Sequence, residues 1–110
     1  MASKGIYNIK NVIKGDTFDG VSFTLSDLDD VAIDLTGATI KIDFKNKGNA
    51  VMKTISIGSG ITVNNATAGI FQIDSFLVIL TTGSLEYDIE ITFPSGMVKT
   101  YVTGTFNIIN

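Results

Sequence analysis

Apolar and polar residues alternate along most of this chain, and the alternation is strictest toward its C-terminal end. Leu85, Tyr87, Ile89, Ile91 and Phe93 alternate with Glu86, Asp88, Glu90 and Thr92. A period of two places successive side chains on opposite faces, so this stretch predicts a half-buried strand with one wet face. Pro94-Ser95-Gly96 follows with turn chemistry: Pro fixes φ early, and Gly takes a positive φ near the end. Beyond it Val98, Thr100, Val102, Gly104, Phe106 and Ile108 share one parity, against Lys99, Tyr101, Thr103 and Asn107 on the other. The two stretches predict a long hairpin with the first set buried.

Shorter runs repeat the logic. Val21, Phe23 and Leu25 alternate with Ser22 and Thr24, and Ile40, Ile42 and Phe44 alternate with Lys41 and Asp43. Val51, Ile55 and Ile57 share a parity, Ile61 and Val63 form a short run, and Phe71 and Ile73 share a face. Residues 6–13 predict an N-terminal strand with apolar side chains on both faces. Turn residues cluster at 27–30, 46–49, 58–60 and 64–69. Seven to eight short strands, with turns about every ten residues, predict an all-β fold. The pattern fits a β-sandwich or a small barrel, and the expected form is an antiparallel β-sandwich, immunoglobulin-like or related, as a single domain over residues 1–110.

Composition narrows the chemistry. The chain has 110 residues, 45% of them hydrophobic, which suffices for one core and not two. Cys, His, Trp and Arg are all missing. Without Cys there is no disulfide framework and no thiolate, and without His the commonest general base and metal ligand is lost. A net charge of −3 and a pI near 4.6 run against nucleic-acid binding. The opening residues do not read as a secretory signal, and no run approaches the ~18 apolar residues that span a bilayer. The expectation is a soluble protein made in the cytoplasm, with no membrane segment and no cofactor.

Candidate sites are few. Glu86, Asp88 and Glu90 project from one strand face about 7 Å apart. Carboxylates so spaced occur in glycosidases, but those need a cleft and one raised pKa. An open, wet sheet face partly balanced by Lys99 across the hairpin is the expectation, so no catalytic residue is assigned. Residues 26–34 carry Asp27, Asp29, Asp30 and Asp34 but lack the Gly and terminal Glu of an EF-hand, so no metal site is assigned. A polar hairpin tip is expected there. Gly58-Ser59-Gly60 has no following Lys or helix for a phosphate loop and no His for a nucleophile elbow, and reads as a hinge between strands. Phe76-Leu77-Val78-Ile79-Leu80 is the longest apolar run. From an extended segment these five cannot all face one core, so they are expected to supply both core and a protein–protein contact.

Read in order, several segments resemble a known family. They are Lys14-Gly15-Asp16-Thr17-Phe18, Asp34-Leu35-Thr36-Gly37-Ala38-Thr39-Ile40, and residues 60–69 from Gly60-Ile61-Thr62 to Ala68-Gly69. Glu86-Tyr87-Asp88-Ile89-Glu90 and residues 96–106 complete the set. The pattern resembles a small β-sandwich domain of tailed-bacteriophage structural proteins, similar to the N-terminal module of baseplate upper proteins. Leu85 stands where that family often has an aromatic residue, and residues 76–80 are more apolar than its usual connection. The resemblance implies a non-enzymatic virion component, made in the host cytoplasm. Its expected role is an adaptor, decoration or fibre-attachment subunit of the tail, baseplate or head. The expected partners are other phage structural proteins and copies of the chain itself. It also implies that the motif residues are structural, with Tyr87 buried and its hydroxyl in need of a partner. A carbohydrate-binding β-sandwich module is the alternative, but it would need a row of exposed aromatics.

Overall fold

A computed structural model describes residues 5–27 and 29–110, with side chains from Tyr7 onward. The opening residues 1–4 and Leu28 of the acidic stretch lie outside the described residues. Eleven strands follow one another: β1 (Gly5–Ile6), β2 (Ile9–Ile13), β3 (Thr17–Phe18), β4 (Val21–Thr24), β5 (Thr39–Lys45), β6 (Val51–Ile57), β7 (Gly60–Asn65), β8 (Ile70–Ile73), β9 (Phe76–Leu77), β10 (Gly83–Thr92) and β11 (Val98–Ile109). The all-β expectation therefore holds, and no helix occurs among the described residues. The strand count exceeds seven to eight for two reasons. The N-terminal strand is interrupted at Tyr7-Asn8, and β3 and β9 are too short for alternation to reveal.

The sheet is continuous and mixed. Nine strands join in the order β1-β11-β10-β5-β6-β7-β8-β4, with β2 also on β11, and β3 pairs with β9 separately. Antiparallel pairs dominate, but β1 and β2 both run parallel to β11, and β6 runs parallel to β7. The purely antiparallel expectation fails at those pairs because the first strands reach the edge of the last by crossing the molecule rather than by a hairpin. At Gly58-Ser59 the chain makes a corner instead of a reversal, with Ser59 N–H donating to Ser56 O at 2.9 Å and Gly58 N–H to Ile61 O at 3.0 Å. Gly60 sits against Ile55 there, where an added Cβ would come within 2.7 Å of Ile55 Cγ2, so the corner depends on a missing side chain. The hinge expectation for 58–60 is met.

Curling brings the two ends of the sheet together. Tyr7, between β1 and β2, packs edge-on against Phe23 of β4, with ring centroids 5.6 Å apart. The small β3–β9 sheet plugs the lower gap, its Phe18 and Phe76 rings lying 5.3 and 6.0 Å from Phe106. Inside lie Ile40, Ile42 and Phe44 of β5, Leu85, Tyr87, Ile89 and Ile91 of β10, and Phe106 and Ile108 of β11. Phe71 and Ile73 of β8 and Ile61 of β7 close the core. Each such side chain contributes about 1.5–3 kcal/mol by leaving water.

The β10–β11 hairpin is the one the alternation predicts, and its turn is built as expected. Gly96 N–H donates to Phe93 O at 2.8 Å, Phe93 N–H donates to Met97 O, and Gly96 has φ +90°. One detail differs. Ile89 pairs with Val102 while Glu90 pairs with Thr100, so Tyr101 is an extra, bulged residue. The bulge buries Tyr101 and Val102 together and reverses the parity beyond them. Val98, expected inside, is 54% exposed. The Tyr101 ring meets Phe93 edge-on at 6.3 Å, and this contact holds the bulge against the hairpin.

Candidate functional site

The apolar run at residues 76–80 alternates. Phe76 and Leu80 are half-buried against the core and Val78 is fully buried, whereas Leu77 is 56% and Ile79 72% exposed. Two neighbours fix this orientation. Phe76 and Leu77 pair with Phe18 and Thr17 of β3, which turns the Phe76 ring inward to lie 5.3 Å from that of Phe18. The Lys53 ammonium covers the Phe76 ring at 4.7 Å from its centroid. Val78 is then held on both sides of its backbone, its N–H donating to Asp16 O at 2.9 Å and its carbonyl accepting from Gly15 N–H at 2.8 Å. With Phe76 and Val78 pinned inward, Leu77 and Ile79 project into solvent.

A second apolar pair borders the same backbone junction. Ile13 and Ile109 are direct partners across the parallel β2–β11 ladder, and both are exposed. Lys14 N–H, one residue on, donates to Ile109 O at 2.8 Å, and Gly15 then bonds to Val78. Ile13, Ile109, Leu77 and Ile79 are thus four exposed apolar side chains on segments tied together by these backbone hydrogen bonds. Beyond residue 80 a cleft of about 450 Å³ separates residues 81–85 from the β5–β6 turn, with Met52 in its wall.

The carboxylate row on β10 is a wet strand face. Glu86 stands opposite Lys45 of β5 and Glu90 opposite Lys41, so the balancing cations come from β5. Lys99 is the cation the sequence predicts, but the register set at the turn places it opposite Ile91 instead. Asp88 faces Asp43, and each carboxylate takes a Thr hydroxyl: Thr103 Oγ1 donates to Asp88 at 2.9 Å and Thr54 Oγ1 to Asp43 at 2.7 Å. Lys41 Nζ lies 3.6 Å from Asp43 Oδ2. These contacts absorb the like-charge pair, which would otherwise disfavour the ladder.

In the acidic loop the Asp27 and Asp34 carboxylates serve the backbone just beyond them. Asp27 Oδ1 accepts from Asp29 N–H at 2.9 Å and Val31 N–H at 3.0 Å, closing the hairpin tip that bridges Ser26 to Ala32. Asp34 Oδ1 accepts from the Thr36 hydroxyl at 2.6 Å and the Thr36 amide at 2.9 Å. These bonds, the hydroxyl's foremost, hold the Asp34 carboxyl below its ordinary pKa. They also build the turn into β5 that the residues 34–37 predict. Among the described residues no three acidic side chains converge on one point.

The Tyr87 hydroxyl finds its partner in the backbone carbonyl of Tyr7, and burial of the phenol pushes its pKa well above the ordinary value. Gly104 makes the meeting possible. A Cβ there would collide with the Tyr7 carbonyl and come within 2.9 Å of the Tyr87 ring. Sequence reasoning placed Tyr87 correctly but missed Tyr7 and Gly104. The available signal was an isolated Gly inside a strand pattern, which often marks close backbone approach. Compared with known proteins, the chain matches no family model, no curated protein and no solved structure.

Proposed function

We propose that this chain is a non-enzymatic structural subunit of a tailed-phage particle, acting as an adaptor, decoration or fibre-attachment protein through symmetric assembly. Made in the host cytoplasm, it would join other particle proteins and copies of itself in the virion. In this reading the curled sheet is a distorted relative of the two-layer antiparallel sandwich. The observation that carries it is the outward pair Leu77 and Ile79, standing on a segment whose inward residues are locked into the core. Exposed apolar side chains bordered by polar turns favour a protein partner, and Ile13 and Ile109 enlarge the strip. The motif order from residue 14 to residue 106 directs the reading to a phage particle.

Two charge substitutions, made separately, test the contact. Leu77→Asp adds a charge at an exposed position and leaves stability within about 0.5 kcal/mol of wild type, yet the variant fails to enter particles. Val78→Asp buries an unpaired charge and unfolds the domain. Quantitative mass spectrometry of purified particles reads incorporation. A Leu77→Asp chain present at wild-type copy number removes the strip from the interface. A wild-type chain found only in lysate, never in particles, removes the structural role.

A further inference from the structure

Strand β11 is the longest in the fold, and one of its edges is covered only by the N-terminal strands β1 and β2. We propose that residues 5–13 form an exchangeable strap, which can leave its own β11 and take the same seat on β11 of a second copy. Two chains would then be joined by reciprocal strand exchange. This inference concerns a different part of the molecule from the Leu77–Ile79 strip and does not rest on the virion reading.

The seat is shaped for this segment. The Tyr87 hydroxyl awaits the Tyr7 carbonyl, and the missing side chain at Gly104 leaves room for that carbonyl to enter. Asn8 Oδ1 accepts from Thr105 N–H at 3.2 Å, and Asn107 Nδ2 donates to Asn11 Oδ1 at 3.3 Å. What fits this edge is therefore residues 5–13, and the seat cannot distinguish which copy supplies them. The occupant is a second copy of this chain.

The strap is also lightly anchored. Of its described side chains Ile9 alone is fully buried, Val12 is half-buried, and Tyr7, Lys10, Asn11 and Ile13 are exposed. Its pairing is parallel, slightly weaker per residue than antiparallel. The regular ladder is interrupted at Tyr7-Asn8, where Tyr7 N–H still donates to Thr103 O at 2.9 Å, and slips again between Phe106 and Ile108. Asn107 Oδ1 is buried in this seam without a hydrogen-bond partner, so the seat is imperfectly closed.

The hinge completes the argument. Only Lys14-Gly15-Asp16 separate β2 from β3, in a tight turn where Asp16 N–H donates to Ile13 O at 3.0 Å. Gly15 holds φ +96° and a Cβ there would meet nothing within 4 Å, so straightening the turn meets no side chain and gives up the Gly15–Val78 hydrogen bond. Short hinge turns favour exchange between copies, because the strap's contacts with β11 are the same in both forms.

A pair of cysteines reads the exchange directly, since the chain has none of its own. In the double variant Asn11→Cys, Asn107→Cys, oxidation links β2 to whichever β11 it occupies. The expected result on non-reducing gels is a covalent dimer whose share grows with protein concentration during oxidation. Adding Tyr87→Phe deletes the clasp equally in both forms, so the share at equilibrium stays unchanged while the rate at which the dimer forms rises roughly threefold to tenfold. An intramolecular disulfide alone, at every concentration, overturns the proposal. Should the cysteine variant not fold, the unmodified chain annealed just below its melting temperature serves instead. Light scattering then shows a dimer that dissociates slowly on dilution, and a chain that stays monomeric overturns the proposal. Insertion of Gly-Ser-Gly after Gly15 relaxes the hinge and is expected to abolish the dimer. A dimer that survives this insertion belongs to another surface and equally overturns it.

Discussion

Replacing Gly104 by Ala adds one carbon atom and tests how much of the fold depends on the crossing of β1–β2 over β11. Gly104 does not sit in the left-handed region, so its backbone suits Ala. Considered only for the unfolded chain, the change should stabilise by about 0.4–1 kcal/mol. The new Cβ opposes this, because it overlaps the Tyr7 carbonyl and presses within 2.9 Å of Tyr87 Cε2. The carbonyl is backbone and the Tyr87 ring is fully buried between β5 and β11, so neither can rotate aside. The N-terminal strand must therefore shift outward. Losing the Tyr87–Tyr7 hydrogen bond costs about 1 kcal/mol, and partial exposure of Ile9 about 1.5–3 more. Set against the Ala gain, the net loss is about 1.5–3.5 kcal/mol, or roughly 6–20 °C in Tm for a domain of this size. Thermal unfolding followed by circular dichroism measures it. Hydrogen exchange should show faster exchange at residues 6–12, with β10 still protected. Combined with Tyr87→Phe the losses should be less than additive, since both remove the same contact. A Gly104→Ala protein melting within about 2 °C of wild type would refute the reasoning, since the strand would then have room to spare.

Two further outcomes follow from the same geometry. Phe106, fully buried with Phe44, Phe18 and Phe76 within 5.2, 5.3 and 6.0 Å, should lose about 3–5 kcal/mol on Phe106→Ala, whereas Ile79→Ser should stay within about 0.5 kcal/mol; denaturant titration of both measures the contrast. Tyr87 is buried neutral and its pKa is raised, so above the ordinary phenol value of 10.0 the unfolded chain loses this proton while the folded one keeps it. Stability is therefore whole below pH 10 and falls as pH rises beyond it, and Tyr87→Phe should reduce that slope in alkaline unfolding curves.

The parts of the fold legible in the sequence are those where one strand face is wet and the other dry. β10 reads correctly from Leu85 to Ile91 because its period of two runs through without a bulge on that strand. The turns at 34–37 and 94–96 read correctly because Asp, Thr, Pro and Gly act through their immediate neighbours. The Tyr101 bulge does not show, since inserting one residue changes parity without changing composition, and Val98 was placed inside in consequence. Parallel pairing of β1 and β2 with β11 is likewise invisible, being a choice between elements far apart in the chain. At residues 76–80 the mixed exposure followed from extended geometry alone. Which residues face out depends on the register of β9 against β3, two strands of two residues each, and that register is carried by the rest of the fold.

The strap on β11 also sets a timetable for synthesis. Asn8 and Thr105, joined in the finished fold, stand 97 positions apart, so the first strand leaves the ribosome with its partner still unmade. At about 5–20 residues per second it waits roughly 5–20 s. The neighbouring pairs β5–β6 and β7–β8 need no such delay, because their partners emerge within a few residues of each other. The strand at residues 5–13 is thus translated well before its partner and is among the last segments of the sheet placed.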